Sequence, residues 1–180
     1  MKRIDQLDPE QVTGKTKQLF DAVQSKLGVV PNLVRVLGVA PAALEGYLGL
    51  SGALAGGQLN AKVREQIALT VAESNLCGYC LSAHTFLGGK VGLTPEEIVK
   101  ARHAEASTDK NDAILKLARS IVVQRGEISD SDLAKARTAG LTDGEVVETV
   151  ANVAVNIFTN YVNHVARTVV DFPEVKPGDA

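Results

Sequence analysis

The chain of 180 residues carries 19 Lys and Arg against 21 Asp and Glu, a formal charge of −2, so it has no broad positive excess to attract nucleic acid or an anionic lipid surface. Its length suits one domain that buries about 70 % of its unfolded surface, which removes the need for disulfide or metal staples. Apolar residues make up 45 % of the chain but aromatics only 4 %, with no Trp, and a core of Leu, Val, Ile and Ala suits closely packed helices. The opening residues, Met1 to Gln11, turn acidic where a secretory signal would turn apolar, and no run of about 18 apolar residues occurs. The expectation is a soluble, cytoplasmic protein.

Four of the six prolines, Pro9, Pro31, Pro41 and Pro95, stand where an element begins or ends, and Pro173 and Pro177 lie in the tail. Between Pro95 and Pro173 the apolar residues recur with a period near 3.6 rather than 2, which argues for helices and against a sheet. In chain order helices are predicted near 9–27, 32–38, 42–56, 61–76, 78–89, 95–105, 110–125, 130–138 and 143–168. Asp8-Pro9-Glu10-Gln11 opens the first, and Val12, Leu19, Val23 and Leu27 form its apolar stripe. The whole reads as one domain, 1–180, with an N-terminal arm to about residue 30, a core around the cysteines over about 31–105 and a helical part over about 106–180.

In the third predicted helix Ala42, Gly46, Gly49, Ala53 and Gly56 recur at steps of three and four, leaving one face almost bare. Glycine costs about 1 kcal/mol relative to Ala inside a helix, so the expected benefit is close helix approach, within the subunit or across an oligomer interface. Thr94-Pro95-Glu96-Glu97 and Thr142-Asp143-Gly144-Glu145 pair a capping side chain with an acid three residues on, as does Ser129-Asp130-Ser131-Asp132. The stretches Gly92 to Val99 and Gly140 to Val147 echo one another, as two capped helix starts do. In the last helix Val146, Val150, Val153, Ile157, Phe158, Tyr161 and Val165 project on one broad face, and Asn152, Asn156, Asn160 and Asn163 on the other. The Asn face reads as solvated, with amide contacts to the tail or a second subunit as the alternative.

The chemistry concentrates in residues 65–84. The only two cysteines, Cys77 and Cys80, are three apart and His84 is four further on, so on a helix all three share a face and the sulfurs come within disulfide reach. A free thiol is mostly protonated at neutral pH, and the thiolate is the nucleophile. His84 can accept the proton, and a carboxylate behind the imidazole would orient it. Glu65 is the candidate, yet on one unbroken helix it would lie about 28 Å from His84. A turn at Asn75-Leu76-Cys77-Gly78 is therefore required, since Asn and Gly both tolerate the left-handed conformation that ends helices. Folding back there brings Glu65 beside His84 and sets the CxxC at a helix N-terminus, which favours thiolate. Two other readings use the same residues: a zinc site of Cys77, Cys80, His84 and Glu65, and two buried, inert cysteines. Outside this stretch His103 reads as a surface residue at a helix end. His164 reads as structural or as a pocket residue, and Tyr79 and Phe86 as lining an apolar pocket or packing the core.

The pattern Glu65, eleven residues, Cys77-x-x-Cys80, three residues, His84 resembles the alkylhydroperoxidase D-like (AhpD-like) branch of the carboxymuconolactone decarboxylase superfamily. Gly28-Val29-Val30-Pro31-Asn32, the helix at Pro41, Asn75 to Cys80, Asn160 and the tail Asp171-Phe172-Pro173 share in the resemblance. It implies an all-α, multi-helix bundle that forms homo-oligomers, often trimers or hexamers, and a thiol peroxidase activity that needs no metal or flavin. Carried over by position, Cys80 resembles the peroxidatic cysteine and Cys77 the resolving one, with Glu65 and His84 as the proton relay. The implied cycle oxidises Cys80 to a sulfenic acid, closes a Cys77–Cys80 disulfide and reopens it with an external dithiol, such as a lipoyl or thioredoxin-like protein. The best-known members place a second histidine between the cysteines, where this chain has Tyr79. The decarboxylase branch usually lacks the cysteine pair, which disfavours its lactone chemistry. The alternatives are a redox-sensing or disulfide-exchange protein, and a non-redox isomerase or decarboxylase on the same scaffold.

Overall fold

The computed structural model describes residues 2–179. Met1 and Ala180, the ends of the expected domain, lie outside the described residues. Among these the chain forms nine helices and no strand: α1 (Gly14–Leu27), α2 (Asn32–Leu37), α3 (Pro41–Leu54), α4 (Ala61–Ser74), α5 (Gly78–Lys90), α6 (Pro95–Arg102), α7 (Asp109–Val123), α8 (Asp130–Thr138) and α9 (Asp143–Ala166). No helix in the described residues is long and apolar enough to cross a membrane.

Local chemistry sets most of the boundaries. Asn60, Thr94, Thr108, Ser129 and Thr142 each accept a backbone N–H at the start of their helix, a contact worth about 1 kcal/mol. Thr94 and Thr142 complete full capping boxes with Glu97 and Glu145. The echo between them extends to the turn before: Gly92 and Gly140 take φ of +89° and +92°, and Leu93 and Leu141 donate back to Gly88 and Ala136. It is a repeated stop-and-start device, and the helices that follow have 8 and 24 residues.

The first helix begins later than predicted. Asp8 accepts the Glu10 N–H on its side chain and the Gln11 N–H on its carbonyl, which closes a single turn. The chain then passes through Gly14 at φ +59° before the helix runs.

α4 is the centre of the bundle, packed by α5, α6, α7 and α9. Every residue from Gln66 to Ala72 is buried, so this helix has almost no solvent face. The glycine stripe of α3 does not serve close packing inside the subunit: a Cβ added at Gly46, Gly49 or Gly52 would meet nothing within 4 Å. The other side of α3, at Leu44 and Leu54, packs inward.

α9 reverses part of the sequence reading: of the predicted apolar face Val153 is buried and Val146 and Ile157 are partly buried, but the rest faces out. Asn152, Asn156, Asn160 and Asn163 are buried, whereas Val147, Val150, Phe158, Tyr161 and Val165 are exposed. The amides are compatible with the interior because much of their hydrogen bonding is local. Asn152 and Asn156 donate to the carbonyls of Glu148 and Asn152 at 2.8 Å, and Thr149 donates to that of Glu145 at 2.7 Å. Such back-bonding to the preceding turn lets a polar side chain face a core without an orphaned donor.

Beyond α9 the tail straps back over the start of α5. Asn32 donates to the Asp171 carboxylate and the Val169 carbonyl, Val175 N–H donates to Ser82 Oγ at 2.9 Å, and Gly178 N–H donates to Glu73 Oε1. Arg102, buried on α6, joins Glu73 at 2.8 Å and the Lys176 carbonyl at 3.0 Å. Glu73→Gln removes the charge that balances Arg102. It should cost about 3 kcal/mol, read as a lower urea midpoint at unchanged slope, and should make the segment after Val170 an early site of limited proteolysis.

Candidate active site at the dithiol turn

The required turn between α4 and α5 forms, but a different residue carries its strain. Leu76 takes the left-handed conformation at φ +54°, while Asn75 stays at φ −92°. Cys77 N–H donates to the Ala72 carbonyl at 2.8 Å and Leu76 N–H to that of Glu73 at 3.0 Å, which reverses the chain. Asn75 is occupied: its Nδ2 donates to Asn160 Oδ1 at 3.0 Å, and its carbonyl accepts from His164 Nε2 at 2.9 Å. Gly78 already belongs to α5. The left-handed cost, roughly 1 kcal/mol, falls on Leu76, whose side chain is exposed.

The reversal brings Glu65 to His84. Glu65 Oε2 lies 2.8 Å from His84 Nδ1, with both side chains about one-fifth exposed. A carboxylate can only accept, so Nδ1–H donates and Nε2 is left for other work. Cys77 is the N-cap of α5, its Sγ accepting the Cys80 N–H at 3.5 Å. Cys80 Sγ accepts from Asn163 Nδ2 at 3.1 Å. Both sulfurs are 2 % exposed and unbridged.

The reduced pair is electrostatically asymmetric. The Cys77 thiol is lowered to about 7, first because the Cys80 thiol donates to it and further by the Cys80 N–H and the charges of His164 and His84, with burial opposing. The Cys80 thiol is pushed well above its ordinary range, because its proton is held by Cys77 and because burial and the Cys77 charge add to this. The amides of Asn163 and Asn160 oppose the rise. Thiolate in the reduced pair is therefore favoured on Cys77 over Cys80. Burial pulls the His84 pKa down, but the charge and hydrogen bond of Glu65 more than offset this and the net shift is upward.

A cavity of about 80 Å³ opens beside the Glu65–His84 pair, lined among others by Tyr47, Arg64, Glu65, His84, Asn156 and Thr159 and by neither cysteine. Burial, with the charges of Cys80 and Glu65, pushes Tyr47 up to about 12, so its phenol stays protonated. The other expected pocket residues lie elsewhere. Tyr79 donates to Asp171 Oδ1 at 2.7 Å, accepts the Leu33 N–H at 3.0 Å and stacks edge-on against Phe172. Burial first, then the Asp171 carboxylate, pushes the Tyr79 phenol up. Phe86 is exposed against Phe172 and Lys90. His164 ties the end of α4 through Asn75. His103 is exposed at the C-terminus of α6. Among the described residues no three His, Cys, Asp or Glu are grouped to hold a metal ion.

The sequence reading missed Tyr47 and the amide Asn163, and gave Asn160 no role. The four-residue spacing of the asparagines was the available signal, since a solvated face would favour Glu, Lys and Arg.

The all-helical arrangement that holds this dithiol and the partly buried Glu65–His84 pair has counterparts among known structures. Residues 41–122 match the carboxymuconolactone decarboxylase family. A peroxidase-related protein of Ralstonia eutropha JMP134, described as an alkylhydroperoxidase AhpD core, superposes with a TM-score of 0.84 at 22 % identity, covering 94 % of this chain and 92 % of its own. A peroxidase-related protein of Silicibacter sp. TM1040 gives 0.80 at 22 % identity, over 92 % and 88 %. The debrominase Bmp8 in complex with 2,3,4-tribromopyrrole gives 0.80 at 15 % identity, over 93 % and 91 %. No curated protein matches the chain. The chain thus shares the all-helical fold of the AhpD core structure, and its match to the carboxymuconolactone decarboxylase family covers residues 41–122.

Two measurements check the electrostatics. Thiolate absorbance near 240 nm should rise with a first midpoint of about 7, and this first step should disappear in Cys77→Ser. Because the folded pKa of His84 lies above its unfolded value of about 6.5, its pairing stabilises the fold at lower pH, and the contribution is lost as pH rises through the folded value. The stability advantage of the wild type over Glu65→Gln should therefore shrink as the pH rises from about 6.5 through the raised folded midpoint of His84.

Proposed function

We propose that the protein is a thiol-dependent hydroperoxidase in which Cys80 is oxidised and Cys77 resolves it. The observation that carries this reading is the 2.8 Å Glu65–His84 pair one helical turn from a buried dithiol whose Cys77 caps the helix N-terminus. In the reduced state the Cys80 proton is held toward the Cys77 thiolate. As Cys80 sulfur attacks the terminal peroxide oxygen, its proton passes to Cys77, the S–O bond forms and the O–O bond breaks. His84, whose pKa is raised by Glu65, supplies the proton to the departing alkoxide in its protonated form, so an alcohol leaves and the sulfur is oxidised by two electrons. Neutral His84 then removes the Cys77 proton, Cys77 attacks Cys80, and the hydroxyl departs as water with that proton. One hydroperoxide and two thiols become an alcohol, a water and a disulfide.

An external dithiol reopens the disulfide by exchange. With both sulfurs nearly inaccessible, a slender donor such as a lipoyl arm suits this step better than the flat face of a folded protein. The same burial weighs against a primary role in exchange with protein disulfides. We further propose that a second copy of the chain covers the exposed ridge of α9 formed by Val147, Val150, Phe158, Tyr161 and Val165, because that much apolar surface on one helix marks an interface. Tyr161→Asp should then lower the mass found by light scattering.

Peroxide consumption with a dithiol donor should vanish in Cys80→Ser with the helical circular dichroism unchanged. Glu65→Gln should slow it by about 10²-fold, the scale of a lost acid–base element. Equal turnover in Cys80→Ser would overturn the assignment. Debromination of 2,3,4-tribromopyrrole without peroxide turnover would move it toward the reaction of the Bmp8 neighbour.

A further inference from the structure

Two buried amides next to Cys80 carry groups that the reduced protein leaves unused. Asn163 donates its Nδ2–H to Cys80 Sγ at 3.1 Å, while its Oδ1 is buried without a partner among the described residues. Asn160 is wholly buried and gives its Oδ1 to Asn75, while its Nδ2 is likewise without a partner. Its backbone carbonyl lies 4.0 Å from Cys77 Sγ. Leaving an amide donor and an amide acceptor unpaired in a core is costly, and both sit beside one reactive sulfur.

We propose that Asn163 and Asn160 form an amide cradle that receives the negative charge on Cys80 during attack and then the S–O–H group of its sulfenic acid. The inventory matches. The anionic sulfur needs a donor, and Asn163 Nδ2 already provides one. A sulfenic hydroxyl needs one acceptor for its hydrogen and one donor for its oxygen, and the unpaired groups are one acceptor, Asn163 Oδ1, and one donor, Asn160 Nδ2. The cradle also explains why Cys80 can be the oxidised sulfur although thiolate in the reduced pair is favoured on Cys77. Moving the shared proton from Cys80 to Cys77 exchanges one anion for another, and only Cys80 has side-chain amides turned toward it. The titratable groups around it are Cys77, Tyr79 and His84 on the α5 side, Tyr47 on α3, Glu65 on α4 and His164 on α9. This inference rests on the hydroperoxidase reading for its second half, the hydroxylated sulfur.

The test uses a Cys77→Ser background, where Cys80 is the only thiol. Asn163→Leu keeps the side-chain size and removes the donor, and Asn163→Ala removes bulk instead, so that one of them reads the effect if the other disturbs folding. Without peroxide present, the 240 nm midpoint of Cys80 should rise by about 1 to 2 pH units, the loss expected for one charge-assisted hydrogen bond. With hydrogen peroxide, Asn160→Leu in the same background should shorten the life of the sulfenic acid, followed by intact mass and dimedone capture, by about 10-fold, the same loss expressed as a rate. A midpoint that does not move in either Asn163 variant overturns the cradle. A shifted midpoint with no oxidation of Cys80 by peroxide sinks the hydroperoxidase reading and the sulfenic half of this inference, and leaves the charge-holding half standing.

Discussion

A helix buried on every side has no solvent in which to place polar groups, and α4 is such a helix. Its run from Gln66 to Ala72 is closed in by α5, α6, α7 and α9, so anything polar on it must be answered by a neighbour. Thr70 is answered by the carbonyls of Gln66 and Ala101, Glu73 by Arg102, and Glu65 by His84. The reversal at Leu76 makes the last of these available. Held antiparallel to α4, α5 presents its first turn, with both sulfurs, and its second turn, with the imidazole, to the same buried wall. The reactive group follows from how the central helix is covered.

Much of this was legible from residue spacing. Helix starts were visible because Thr, Ser and Asn caps are local devices, and the α4–α5 reversal was visible because Glu65 is useless to His84 without it. The carrier of the reversal was not, because the choice of Leu76 over Asn75 depends on contacts of Asn75 with α9 that no local window contains. Part of the orientation of α9 was read backwards for a related reason. Hydrophobic patterning assumes that Asn seeks water, and it cannot see amides satisfying themselves on the preceding turn of their own helix. The same patterning grouped Val150, Phe158, Tyr161 and Val165 with Val153, and those four stand on the surface while Val153 is buried. The glycine stripe of α3 was noticed correctly, but its bare face looks away from the subunit core.

Tyr79 shows how one position between the cysteines changes character with its surroundings. A phenol tied to Asp171 and to the Leu33 backbone is an anchor, and its raised pKa leaves it no proton to exchange near neutrality. Where relatives with a histidine here would have a second titrating ring, this chain has a link between α5, the start of α2 and the tail. Beside the dithiol, the imidazole paired with a carboxylate is that of His84.

The amide that touches Cys80 lies 83 residues later in the chain, and the carboxylate that fixes Tyr79 lies 92 residues later. At ordinary translation speeds of about 5 to 20 residues per second, the cysteines leave the ribosome some seconds before either partner exists. A nascent chain therefore carries two unshielded thiols with none of the electrostatic tuning of the finished bundle, open to any oxidant or disulfide it meets. Because the charge-holding contacts arrive with α9 and the strap, the dithiol acquires its distinct pair of sulfurs only after those segments have been made.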